Sequence, residues 1–177
     1  MSGPNLFMSS ACCPAQSIVG AVEMLCQAGI RNIELTGGTR ADQYDETRLK
    51  VLQAGQGLNF MIHGYFPPPV PDYYMDLGSK DPGILSRSLE TVHRAVNLSL
   101  ELGADRYGVH CGFIWDHERD DLNPGSYIGT PEYKRSEEVF YRSVREILAS
   151  LPPDGFRLAV ENSPPEWNMK KASVMSA

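Results

Sequence analysis

Apolar positions along the chain alternate between short unbroken runs and longer stretches with helical spacing. Asn5-Leu-Phe-Met-Ser9 is a short apolar run, followed by the small and polar Ser10 to Cys13. Pro14 suits the first turn of a helix, in which Ile18, Val19, Val22, Leu25 and Cys26 recur at helical spacing up to Gly29, a natural stop. Ile30 to Leu35 is a compact β-type run closed by Gly37 and Gly38, and a second helix fits Asp42 to Ala54, with Asp42 as N-cap and Gly55 as its end. Leu58 to His63 reads as the third strand. It runs into a segment from Gly64 to Pro71 whose prolines fix φ and remove donors, so that segment is neither helix nor inner strand.

A third helix begins near Asp81-Pro82 and carries Ile84, Leu85, Leu89, Val92, Ala95, Val96, Leu98 and Leu102 before Gly103. Ala104 to His110 is the fourth strand, followed by a long loop from Cys111 to Gly129. Thr130-Pro131 opens a fourth helix that runs to Leu151, and Phe156 to Glu161 is the fifth strand. Strand and helix thus alternate through four β/α units and a fifth strand, which predicts a parallel sheet with right-handed crossovers. The pattern stops after Glu161, so residues 1–163 are expected to form one domain and 164–177 an irregular tail.

An eight-stranded (β/α) barrel usually needs about 250 residues, and this chain has 177. Two folds fit: an incomplete (β/α) TIM-type barrel with about five parallel strands and four helices, or a five-stranded doubly wound sheet, which suits the length better.

Composition narrows the function classes. With 42% hydrophobic and 21% charged residues the chain is globular. Sixteen Lys and Arg against 22 Asp and Glu give a net charge of −6, which argues against a broad grip on nucleic acid or an anionic membrane. No apolar run approaches the roughly 20 residues that span a bilayer. Met1 to Asn5 lacks the charged and apolar regions of a secretory signal. Cys12, Cys13, Cys26 and Cys111 have no CxxC spacing, so reduced thiols in a cytoplasmic protein are expected, with Cys26 a small core residue.

In parallel α/β folds functional groups gather at the carboxyl ends of the strands. Here His63 closes the third strand, His110 the fourth and Glu161 the fifth. Two imidazoles and a carboxylate on one rim suit Zn²⁺ or Mn²⁺. Glu161 follows a run that reads as buried on both faces, where an unpaired carboxylate is costly. Glu34 alternates with Ile33 and Leu35, and periodicity leaves it facing either the barrel interior or the helices. Tyr65 and Phe66 after His63, and Phe113 and Trp115 after His110, put aromatics on the same rim, as loop packing or as a wall for a sugar ring. The stretch Thr36-Gly37-Gly38-Thr39 lacks phosphate-loop spacing and is explained by a tight turn.

Four segments, Asn32 to Gly38, Ile62 to Pro69, Leu102 to Phe113 and Leu158 to Asn162, together resemble the xylose-isomerase-like TIM barrels, which include sugar-phosphate isomerases and epimerases and the endonuclease IV group. The resemblance covers nearly the whole chain and implies the barrel fold in place of the doubly wound sheet. It also implies a divalent metal (Mn, Zn or Mg), with Glu161 as the strand-five metal ligand and catalytic carboxylate. His63 and His110 match histidines that bind zinc in the endonuclease IV group, and His63, Tyr65, Phe113 and Trp115 would bind substrate. The isomerases complete the metal set from strands six to eight, so the chain is expected to be truncated and to carry part of the set. The implied activity is metal-assisted proton transfer beside the carbonyl of a small sugar or sugar phosphate. The alternatives are an endonuclease IV-like zinc phosphodiesterase, for which Arg119, Lys134 and Arg135 are the nearest basic cluster, and a non-catalytic half-barrel remnant. Open barrel edges would invite self-association.

Overall fold

A computed structural model of the chain describes residues 6–37, 43–110, 130–153 and 155–161. Its elements follow in order as β1 (Met8–Ser9), a 3₁₀ turn (Ser10–Cys12), α1 (Ile18–Gln27), β2 (Asn32–Leu35), α2 (Glu46–Gln56), β3 (Asn59–His63), α3 (Pro82–Glu101), β4 (Arg106–His110), α4 (Pro131–Ser150) and β5 (Arg157–Glu161). Each helix starts where a short polar side chain captures a free backbone N–H. Ser17 accepts from Gly20, Asp45 from Arg48, Asp81 from Gly83 and Ile84, and Thr130 from Tyr133. Two expected boundaries move. The first helix begins after Ser17 instead of at Pro14, and the second ends at Gly57, whose φ of 61° gives a left-handed cap, instead of at Gly55. Asp42, the expected cap of the second helix, lies outside the described residues, and Asp45 does that work.

The sheet runs β1-β2-β3-β4-β5, and every neighbouring pair is parallel. A doubly wound sheet reverses its strand order at a switch point. This order never reverses, so every crossover turns the same way and the helices cover one face, as in a barrel wall. The described residues therefore make five successive strands of a (β/α) barrel, and the doubly wound alternative falls away.

Strand alternation then sorts the side chains. Ile33 and Leu35 of β2, Phe60 and Ile62 of β3, and Tyr107 and Val109 of β4 are buried in one cluster with Ile18, Val22 and Leu25 of α1, Leu49 of α2 and Val92, Ala95 and Val96 of α3. Each buried Val, Leu, Ile or Phe side chain contributes about 1.5–3 kcal/mol relative to exposure, which makes this helix-facing layer the main source of stability. Cys26 packs against its margin. The opposite face of the sheet carries Glu34, Met61, His63, Gly108, His110 and Glu161. One expectation fails here: the run before Glu161 is not buried on both faces. β5 is the edge of the sheet among the described residues, and Val160 is 47% exposed.

Between β3 and α3 the proline segment folds down onto the core. Phe66 is fully buried, its ring perpendicular to that of Tyr44 at 5.4 Å between centroids, and Met75 and Leu77 are also buried. Ser88 of α3 accepts from the Asp76 N–H, and Ser143 of α4 donates to the Leu77 carbonyl. The peptide bonds Phe66–Pro67 and Val70–Pro71 are cis. This packing fixes the segment that carries Tyr65 at the rim.

Candidate metal centre

Register explains how residues far apart in sequence meet. Glu34 pairs with Met61, His63 with Gly108, and His110 with Glu161. All lie on the face away from the helices. Each step from β2 to β3 and from β3 to β4 is diagonal by two residues, a distance long and aromatic side chains can cross. Such stagger is what barrel shear produces.

His63 is the hub. Its Nε2 lies 2.7 Å from Glu161 Oε2, and its Nδ1 lies 3.5 Å from Glu34 Oε1, the outer edge of hydrogen-bonding range. Its ring stacks on that of His110 with centroids 5.2 Å apart and planes 20° from parallel. His63, His110 and Glu161 each offer a ligand atom, and these atoms all lie within 4.8 Å of one another. Gly108 makes room: a Cβ there would come within 2.8 Å of His63 Cδ2. A Cβ on Gly64 would lie 3.5 Å from His110 Nε2, an ordinary contact. Gly64 also has φ of +59°, a turn most side chains disfavour. That turn is pinned from the core side, because the Tyr107 hydroxyl donates to the Gly64 carbonyl at 2.7 Å and the Gly64 N–H donates to the Gly108 carbonyl at 2.8 Å.

The two imidazoles are driven in opposite directions. The Glu34 carboxylate raises His63 above its ordinary value, against the opposing effect of burial, with Glu161 adding a smaller push the same way. Glu161 is nearer but weighs less, because it is 55% exposed while Glu34 is 21% exposed, and water screens the outer charge. Burial lowers His110, and the neighbouring His63 charge lowers it further. Glu34 in turn is lowered, chiefly by His63, with a smaller contribution from the Ser9 hydroxyl.

The structure thus brings His63, His110 and Glu161 together. It places Tyr65 beside them, its ring centroid 6.4 Å from that of His110 and its hydroxyl 3.5 Å from the Met75 carbonyl, with burial pushing the phenol up to about 12. Phe113, Trp115, Arg119 and Cys111 lie outside the described residues, as does the 164–177 tail. Lys134 and Arg135 are exposed on α4. Glu34 belongs to the cluster although strand periodicity left its face open, and the residue that decides the matter, Met61, sits on a different strand.

The profile of the xylose isomerase-like TIM barrel family matches residues 21–173, and the chain belongs to that family. No curated protein matches it in sequence. Solved structures share its fold at low identity. A D-tagatose 3-epimerase-like protein is 17% identical with a TM-score of 0.66 over 89% of this chain and 52% of its own. The D-allulose 3-epimerase of Methylomonas sp., solved in complex with D-allulose, is 16% identical with a TM-score of 0.56 over 80% of this chain and 44% of its own. The TTHB071 protein of Thermus thermophilus, soaked with ZnCl2, is 21% identical with a TM-score of 0.50 over 89% of this chain and 55% of its own. The chain therefore spans about half the length of the structures it matches. No helix among the described residues is long and apolar enough to cross a membrane.

Proposed function

We propose that this chain carries the metal-binding rim of a sugar isomerase or epimerase, one that moves a proton at the carbon beside the carbonyl of a small sugar or sugar phosphate. The observation that carries the reading is the convergence of His63, His110 and Glu161 within 4.8 Å at the carboxyl ends of three adjacent strands. That the barrels sharing its fold include epimerases supports the substrate class.

The donor set suits a divalent ion. Two imidazole nitrogens and a carboxylate oxygen are ordinary ligands for zinc or manganese. Donors around a tetrahedral zinc stand about 3.4 Å apart, as follows from bonds of about 2.1 Å. The 2.7 Å His63–Glu161 contact is tighter than that, and no gap in the trio exceeds 4.8 Å. A bound divalent ion would polarise the carbonyl and hydroxyl oxygens of the sugar.

The chain's own residues supply the rest. Burial and the neighbouring His63 lower His110, which favours the neutral ring a cation needs. Glu161 engages His63 through Oε2, which leaves its other oxygen to accept the proton from carbon. Tyr65 closes the rim on the side of His110 and offers an aromatic face to a sugar ring, and Phe113 and Trp115 are proposed to extend that wall.

A second reading, a zinc phosphodiesterase, is favoured by one feature: both strand-end histidines belong to the donor set. Incubating the chain with Mn²⁺ and ketohexoses, with product epimers resolved by chromatography, separates the two. Epimer formation that is lost in Glu161→Gln supports the sugar reading. Zinc-dependent nicking of abasic DNA without epimer formation replaces it with the second. Neither activity, with no bound metal, leaves a non-catalytic half-barrel.

A further inference from the structure

Glu34 has no place in the donor trio, yet its position relates it to one member of that trio. It stands on the far side of His63 from Glu161, at Nδ1, while Glu161 stands at Nε2. Both Glu34 and His63 are about four-fifths covered, at 21% and 20% exposure. Ser9 stands next to Glu34 in the β1–β2 register.

An imidazole has two nitrogens with different duties when one of them binds a cation. The ligating nitrogen offers its lone pair, so the other keeps its proton and needs an acceptor to fix the ring. At His63 the side facing His110 and Glu161 is Nε2, and the acid at Nδ1 is Glu34. The floor beneath the ring is the bare Cα of Gly108, which offers no side chain to grip it. In the metal-free chain Glu161 also holds the ring at Nε2; once Nε2 turns to a cation, the carboxylate at Nδ1 is the acceptor left to set the rotation of the ring.

We propose that Glu34 is a positioning residue: its carboxylate accepts the Nδ1–H of His63 and so aims Nε2 into the gap shared with His110 and Glu161. The inference rests on the metal-site reading above and adds to it the residue that orients the first histidine. It assigns β2, which contributes no ligand to the trio, a part in the site.

The test compares wild type, Glu34→Ala and Glu34→Gln, each alone and in a His63→Ala background, with far-UV circular dichroism confirming that each is folded. Co²⁺ affinity is read from its visible absorption, and the ring-to-ring nuclear Overhauser effect between His63 and His110 is read in metal-free protein. Glu34→Ala is expected to weaken Co²⁺ about 10–100-fold, the range for loss of an outer partner of a ligating histidine. It should also abolish the ring contact. Glu34→Gln, which keeps an acceptor oxygen, should retain the contact and most of the affinity. In the His63→Ala background the Glu34→Ala change should cost nothing further. Unchanged Co²⁺ affinity in Glu34→Ala overturns the inference while leaving the metal site standing. An equal loss in the His63→Ala background also overturns it, because Glu34 would then act without His63. If wild type binds no Co²⁺ the metal-site reading fails by itself, and the ring contact still decides: persistence in Glu34→Ala overturns the positioning role, and loss there with retention in Glu34→Gln sustains it.

Discussion

The ring of His63 occupies the space that a side chain on Gly108 would need, with 2.8 Å between Cδ2 and the place a Cβ would take. The two residues face each other directly across the β3–β4 seam. Gly108 has no positive φ, so its backbone accepts alanine and the cost falls on the imidazole. Gly108→Ala is expected to stay folded and lose about 1–3 kcal/mol, the usual range for overpacking. Urea denaturation checks this, together with loss of the His63–His110 ring contact in NMR. An unchanged midpoint with the ring contact intact would show that the bare Cα is not needed.

The opposed surroundings of the two histidines predict separate titrations in metal-free protein. His63, raised by Glu34, should titrate above its ordinary 6.5, and His110, lowered by burial, should titrate below it. Above pH 6.5 the folded chain holds the His63 proton longer than the unfolded chain, so that contribution is full below 6.5 and fades as pH rises through the raised value. His110 works the other way, since the unfolded chain binds its proton first, and stability falls as pH drops from 6.5 towards the lowered value. Glu34→Gln should bring the His63 midpoint down. Imidazole NMR resonances followed against pH would show this, and a common midpoint for both rings would contradict it.

Tyr107 is fully buried and spends its hydroxyl on the Gly64 carbonyl. Tyr107→Phe leaves that carbonyl without its side-chain donor at the turn beneath His110. A loss of about 1–3 kcal/mol is expected, as for a buried acceptor left unmatched. Chemical denaturation measures it, and a variant as stable as wild type would show that the turn does not depend on the bond.

Asp105 offers a contrast. It holds Arg106 at 2.7 Å and contacts Arg157 across the β4–β5 seam, and these cations lower its carboxyl to about 2. The pair is half exposed, so screening limits its worth to about 1 kcal/mol or less. That contribution is present above the ordinary 3.8 and is lost as pH falls towards about 2. Asp105→Asn should shift the denaturation midpoint slightly at pH 7, and by less as pH falls from 3.8 through about 2. A large loss at pH 7 would mean the seam depends on this contact far more than its exposure allows.

Much of this arrangement was legible from residue pattern alone. The strand ends at His63, His110 and Glu161 stand out because each is followed by a break in periodicity, and parallel topology puts such ends on one rim. What pattern could not supply was register. Glu34 alternates with Ile33 and Leu35 whichever face it takes, and only pairing with Met61 sets it beside His63. Gly108 looks like any strand glycine until His63 is placed opposite it. The exposure of Val160 escapes pattern for a related reason: an apolar run in a parallel strand reads as inner, and edge position depends on which strands flank it. Pro14 suits a first helical turn, yet the N–H that needs capping belongs to Gly20 and finds Ser17.

Zinc K-edge X-ray absorption of the zinc-loaded chain tests the shared ion most directly. One zinc per chain should show two imidazoles and oxygen in its first shell, with the imidazole signal halved in His63→Ala or His110→Ala. Sulfur scattering at about 2.3 Å, or an imidazole signal that both histidine variants leave unchanged, would place the ion elsewhere and contradict a centre built from His63, His110 and Glu161.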